Sequence, residues 1–158
     1  EGLGWGGDAL PKVVDWNGVR LQRREGSHGL GSVVQKMGPV MGFSITAKNE
    51  PTVYWAGDTV LYPAVETTIA DTKPEIIIIH ACGARWDGDL ITMDAAEAVA
   101  TCRLAPDATV IATHMESLDH ATVSRDELRR HATEQGASPQ QLLIPLDGET
   151  LQLTSRQT

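Results

Sequence analysis

The spacing of apolar and polar positions changes character along the chain. The first 18 residues, rich in Gly and Trp, show no period that selects helix or strand. Val19 to Arg24 then alternates as a half-buried strand does, with successive side chains directed to opposite faces. A glycine-flanked loop follows, Glu25-Gly26-Ser27-His28-Gly29-Leu30-Gly31. Residues 41–47 and 52–56 read as two further strands, and Lys48-Asn49-Glu50-Pro51 between them has hairpin-like turn chemistry.

Beyond residue 60 the pattern becomes strand alternating with helix. Pro63 to Ala70 is helix-like, and Pro74 punctuates the chain before the β-branched run at 75–81. So short an apolar run fits a strand buried on both faces. Asp94 is placed to cap a helix over Ala95 to Leu104, with Glu97 at the capping-box position. A strand is expected at Thr109 to Thr113. Ser124 caps a helix over Arg125 to Gln135, with Glu127 positioned to reach back and Gly136 as its stop. Strands at 142–144 and 150–153 would flank the turn Asp147-Gly148. Arg85-Trp86-Asp87-Gly88-Asp89 reads as an irregular loop. No repeat, linker or low-complexity tract interrupts the chain, so 1–158 is read as one α/β domain.

Composition narrows the partners. With 41% apolar and 22% charged residues the chain is an ordinary globular one rather than disordered or fibrous. Its formal net charge is −8 without a cationic cluster, which excludes nucleic acid and an anionic membrane surface as expected partners. Apolar runs such as Ile76–Ile79 fall far short of the ~20 residues a membrane span needs. The start has neither a basic n-region nor an apolar core, so no signal peptide is read there, and Glu1 in place of an initiating Met hints at a trimmed or partial chain. Cys82 and Cys102 are too few for a disulfide framework and are read as buried thiols of a cytoplasmic protein.

Three polar residues lie just past the ends of expected strands: His28, Asp58 in Ala56-Gly57-Asp58-Thr59, and His114 in Thr113-His114-Met115-Glu116. In open α/β folds ligands bind at that edge. Two imidazoles and a carboxylate suit zinc, iron or manganese. Their separations match no local metal motif. Turn, cap or strand-end roles are the plain alternatives for all three residues.

GSHG at 26–29, YWAGDT at 54–59, KPEIIIIHACGA at 73–84 and ATVIATHMESLDH at 108–120 stand in an order that resembles the metallo-β-lactamase superfamily. From about Val13 to Leu153 the chain is similar to the C-terminal half of that fold, in the branch of bacterial metal-dependent hydrolases similar to ascorbate-phosphate lactonase. The resemblance implies half of an αββα sandwich, a mixed sheet with helices on one face. It implies His28, Asp58 and His114 as metal ligands, with Asp58 and His114 catalytic. From their own positions His80, Glu116 and His120 are read as supporting a ligand or touching substrate, with buried or solvated structural roles as the alternatives; at His80 the family often has Asn or a small residue. Two divalent ions, zinc or else iron or manganese, would activate a hydroxide to attack an ester, lactone, amide or phosphoester of a small molecule. The family's His-x-His-x-Asp-His segment has no counterpart in the 158 residues, so a partial domain lacking its N-terminal half is expected, weakly active or inactive alone.

Such a half-fold would leave an apolar sheet face, expected to include Val53, Trp55, Ile76, Ile78, Val110 and Ala112. A second copy or a retained N-terminal fragment would cover it. A remnant half-domain serving as a binding or assembly module is the main alternative function. A phosphoryl-transfer domain with Asp58 as acceptor is weakened by the lack of a second acidic residue, a phosphate loop and a strand-end lysine.

Overall fold

Strand pairing orders everything else in the computed structural model, which describes residues 12–153. The Gly- and Trp-rich start up to residue 11 lies outside the described residues. Strands β1 (Val13–Trp16), β2 (Val19–Glu25), β3 (Met41–Ala47) and β4 (Val53–Trp55) form an antiparallel meander. Parallel strands β5 (Ile76–His80), β8 (Thr109–Thr113) and β9 (Leu142–Leu143) extend it. The result is one seven-stranded mixed sheet ordered β1-β2-β3-β4-β5-β8-β9.

Helices α2 (Pro63–Thr72), α3 (Ala95–Leu104) and α4 (Arg125–Glu134) make the crossovers between successive parallel strands. All three crossovers step in the same direction across the sheet. Crossovers of one hand that step one way place their helices on one face. Burial agrees: Ile77, Ile79, Val110 and Ala112 are 0% exposed and pack with Val65, Ile69, Val99, Cys102 and Leu128 from the helices. Cys102 and Cys82 are both buried free thiols, and burial pushes Cys102 up to about 11.

The opposite sheet face is only half-covered. Val53 and Trp55 are registered with Ile76 and Ile78, and Ile78 with Ile111. Trp55 is 38% exposed, and its neighbours on this face are intermediate. The expected membership of that face is corrected here: Val110 and Ala112 pair with Ile77 and Ile79 and therefore lie beneath the helices. Thr109, Ile111 and Thr113 take their places, because side chains alternate along a strand.

Local chemistry explains most element ends. Pro63 opens α2, and Lys73 closes it in the left-handed region (φ 43°), donating its N–H to Ile69, so the helix runs two residues past Ala70. Ser124 and Glu127 form a complete capping box. At α3 the box is incomplete: Asp94 accepts from the N–H groups of Ala96 and Glu97, while the Glu97 carboxylate is engaged by the Leu61 N–H instead. The expected strand at 150–153 does not form, whereas β1, the short helix α1 (Val34–Met37) and a two-stranded hairpin of β6 (Arg85–Trp86) and β7 (Asp89–Leu90) do. None of the helices among the described residues is long and apolar enough to cross a membrane.

Gly42 in β3 lies where the sheet passes into the loop after β4. A Cβ there would stand 2.6 Å from the Trp55 carbonyl oxygen and 2.9 Å from that of Ala56. Backbone cannot yield as a side chain does, so Gly42→Ala is expected to destabilise the fold by about 1–3 kcal/mol. A lower urea midpoint with an unchanged m-value would register it.

Candidate metal centre

Strand direction brings the polar residues to one edge. Strands β2 and β4 both run antiparallel to β3, and β4, β5 and β8 are mutually parallel, so all four end on the same side of the sheet. His28 follows β2, Asp58 follows β4, His80 ends β5 and His114 follows β8. Asp58, His80 and His114 each offer a ligand atom within 4.8 Å of the others, the one such trio of His, Cys, Asp or Glu among the described residues. These three could hold a metal.

Asp58 is half-exposed. Its Oδ1 lies 2.7 Å from His80 Nδ1 and 3.8 Å from His114 Nε2. The His80 hydrogen bond holds the carboxyl below its ordinary value, against the opposing effect of burial, and the charges of His80, His28 and His114 act the same way. Gly57, at φ 72°, lets the chain turn so that Asp58 leaves the strand, and a Cβ there would lie 2.8 Å from the Met41 carbonyl oxygen.

His114 sits on strained backbone. Its φ of 61° lies in the left-handed region, as does the 58° of Glu116. Non-glycine residues rarely sit there without surroundings that enforce it, and such strain concentrates at functional sites. The surroundings here are specific. Met115 is buried, the N–H groups of Thr122 and Val123 donate to the Cys82 carbonyl, and Thr122 Oγ1 donates to Gly83 at 2.6 Å. Arg125, 7% exposed, binds Glu116 and Asp147 with its guanidinium and donates Nε–H to the Pro145 carbonyl at 2.8 Å. Ser117 Oγ stands 3.4 Å from His114 Nδ1, the nitrogen turned away from Asp58.

Among the residues named from sequence, Asp58, His114 and His80 meet. His28 reaches the same edge but is not part of the trio: its Nδ1 lies 2.7 Å from the Ile91 carbonyl oxygen. A carbonyl only accepts, so Nδ1 carries the hydrogen of that bond and Nε2 is the nitrogen left without this partner. The 26–29 loop is held against the Asp58 loop by Ser27, whose N–H donates to Thr59 Oγ1 and whose carbonyl accepts from the Val60 N–H. Glu116 is engaged by Arg125, and His120 pairs with exposed Asp119.

Sequence reasoning placed Trp55 on a strand and on the apolar sheet face, and gave it no part in the site. Its ring stacks on Phe43 at 6.0 Å and tilts over His80 at 6.0 Å, and its indole N–H donates to His80 Nε2 at 3.3 Å. The row continues to His114, 4.7 Å from His80 and edge-on to it. Only the parallel register, which sets Trp55 beside Ile78, makes this visible.

Known proteins are similar to this chain in sequence and fold. A sequence profile for the β-lactamase superfamily domain matches residues 10–115. A UPF0173 protein of Bacillus subtilis, YddR, is 36% identical over 145 residues, covering 90% of this chain and 57% of that protein. A possible metal-dependent hydrolase from Veillonella parvula superposes with a TM-score of 0.84 at 31% identity, over 90% of this chain and 57% of its own. An isothiocyanate hydrolase from Delia radicum gut bacteria also gives a TM-score of 0.84, at 29% identity, over 93% of this chain and 59% of its own. The chain therefore spans less than two thirds of the length of these relatives.

Glu97 supplies a pH test of the neighbouring loop. Its half-buried carboxylate accepts from the Leu61 N–H at 3.1 Å, and burial pushes its carboxyl up from 4.5 to about 7. A raised value stabilises the fold below the unfolded value and loses that contribution as pH rises through the folded one. Unfolding across the window from 4.5 to about 7 is expected to show wild-type stability falling with pH, and Glu97→Gln to flatten the fall.

Proposed function

This chain belongs to the β-lactamase superfamily domain family, and from that premise we propose that it carries part of the active site of a metal-dependent hydrolase. The observation that supports this most is the convergence of Asp58 and His114, the latter on strained backbone, at a strand edge that also holds His80 and His28. The donor set fits a divalent cation: one carboxylate held ionised, and imidazoles whose other nitrogens have partners. Asp58 and His114 would hold it, with His28 on the same strand edge but outside the cluster; zinc is favoured, and iron or manganese is compatible with the same donors.

A divalent ion in such a site supplies Lewis acidity and a more acidic water. The chain's own groups do the positioning. The His80 hydrogen bond aims the Asp58 carboxylate and holds it below its ordinary value, and the Ile91 carbonyl orients the His28 ring through Nδ1. The Arg125 cluster holds the backbone on which His114 is mounted. The reaction class is hydrolysis of a small electrophile: an ester, lactone, amide or phosphoester. The similarity to an isothiocyanate hydrolase adds the isothiocyanate group to that range.

The half-covered face of Trp55, Ile76, Ile78 and Ile111 belongs to the same proposal. A second copy, or polypeptide corresponding to the additional length of the relatives, covers it in the working protein. The sedimentation mass is accordingly expected to exceed 17.0 kDa, and denaturing mass measurement to show whether a second copy or a companion fragment supplies the excess.

Titration of the chain with Zn²⁺, Mn²⁺ or Fe²⁺ is expected to give saturable binding that Asp58→Ala and His114→Ala each weaken more than about 100-fold, beyond the effect usual for residues outside the ligand shell. Any turnover of lactone, phosphodiester or isothiocyanate by the protein should be lost on chelation and in the same variants. Full metal binding by both variants would end the proposal.

A further inference from the structure

His80 is the one member of the trio with both ring nitrogens already engaged. Trp55 Nε1 lies 3.3 Å from His80 Nε2 and Asp58 Oδ1 lies 2.7 Å from His80 Nδ1. An indole nitrogen only donates, so Nε2 must be the acceptor and bare of hydrogen. The ring's hydrogen is then on Nδ1, donating to Asp58. An imidazolium, or the other tautomer, would set a hydrogen on Nε2 against the hydrogen of the indole.

Distance separates an orienting partner from a ligand. Donors that share one tetrahedral ion at bond lengths of about 2.0–2.2 Å stand roughly 3.3–3.6 Å apart. His80 Nδ1 and Asp58 Oδ1 are closer than that, at a hydrogen-bond distance of 2.7 Å, whereas His114 Nε2 and the same oxygen, at 3.8 Å, leave room for an ion between them. With a side chain only 15% exposed and its ring between those of Trp55 and His114, His80 is confined on both sides.

We infer that His80 is a positioning residue that aims the Asp58 carboxylate and is not itself a metal ligand, its tautomer set by the indole of Trp55. This rests on the reading of Asp58 as the metal-facing carboxylate. It assigns to Trp55, through His80, a role in the site that its place in a strand does not suggest. The arrangement follows the general logic by which a partner outside the ligand shell orients a ligand, with the imidazole here serving the carboxylate.

The test uses the chain labelled with ¹⁵N at histidine, first metal-free and then with ¹¹³Cd²⁺ alone. In the metal-free protein the His80 ring is expected to be protonated at Nδ1 and bare at Nε2. On adding cadmium, ¹¹³Cd–¹⁵N splitting should appear at a ring nitrogen of His114 and at neither nitrogen of His80. Splitting at His80, or a metal-free ring protonated at Nε2, would overturn the inference. If no histidine is split because cadmium does not bind, the metal-centre reading falls, and the metal-free tautomer still decides whether His80 orients Asp58.

Two substitutions add a second readout. In His80→Asn the amide N–H stands where Nδ1–H stood, and cadmium affinity should remain within about threefold of wild type, whereas His80→Ala should lose about tenfold or more. Equal losses in the two would mark His80 as a ligand. Should His80→Ala fail to fold, Trp55→Phe removes only the donor to Nε2, and the His80 proton should then distribute over both nitrogens. An unchanged Nδ1–H tautomer in Trp55→Phe would overturn the assignment to Trp55.

Discussion

Parallel pairing of β4, β5 and β8 is the constraint from which the rest of this structure follows. Parallel strands cannot be joined by tight turns, so each needs a crossover, and here helices supply it. Because the crossovers step one way across the sheet, the helices share one face and bury Ile77, Ile79, Val110 and Ala112. The same polarity makes Asp58, His80 and His114 leave their strands on a common edge. The meander adds His28 to that edge because β2, two strands away from β4, runs in the same direction. Core and candidate site are thus two results of one arrangement of strand directions.

The edge is also where the backbone departs from low-energy conformations. Gly57 takes a positive φ without penalty, but His114 and Glu116 do so against the preference of any residue with a Cβ, at about 1–3 kcal/mol each. The neighbouring contacts offset this. Arg125, nearly buried, has its guanidinium engaged by two carboxylates and a carbonyl, so it is a charge with partners rather than an isolated one. The Thr122 and Val123 bonds to the Cys82 carbonyl fix the far end of the same loop.

Much of this was legible in the chain because local chemistry and tertiary demand agree. The Ile76–Ile79 run, bounded by Pro74, can be little else than a buried strand, and the Ser124–Glu127 box marks its helix start without tertiary help. Where competing partners exist, sequence reasoning falls short. Glu97 has the spacing of a capping box, yet the Leu61 N–H takes its carboxylate, a contact between elements far apart in sequence. Residues 150–153 have strand-like composition but do not join β9, itself only two residues long. For the candidate site, strand ends pointed to His28, Asp58 and His114, of which Asp58 and His114 come together with His80. The difference between His28 and His80 depends on register and on which nitrogen meets which partner, information that no spacing contains.

Arg125 has a further consequence for how the molecule opens. Through one side chain it joins the loop after His114, the first turn of α4 and the segment at 145–147 that follows β9. Local fluctuations expose backbone in units that share contacts. The His114 loop, exposed and rich in polar residues, would ordinarily belong to the fraying surface. Tied in this way, the backbone at Glu116 is expected to open together with the first turn of α4 and the segment at 145–147. The lifetime of the site's geometry is thereby that of a large cooperative unit rather than that of a loop.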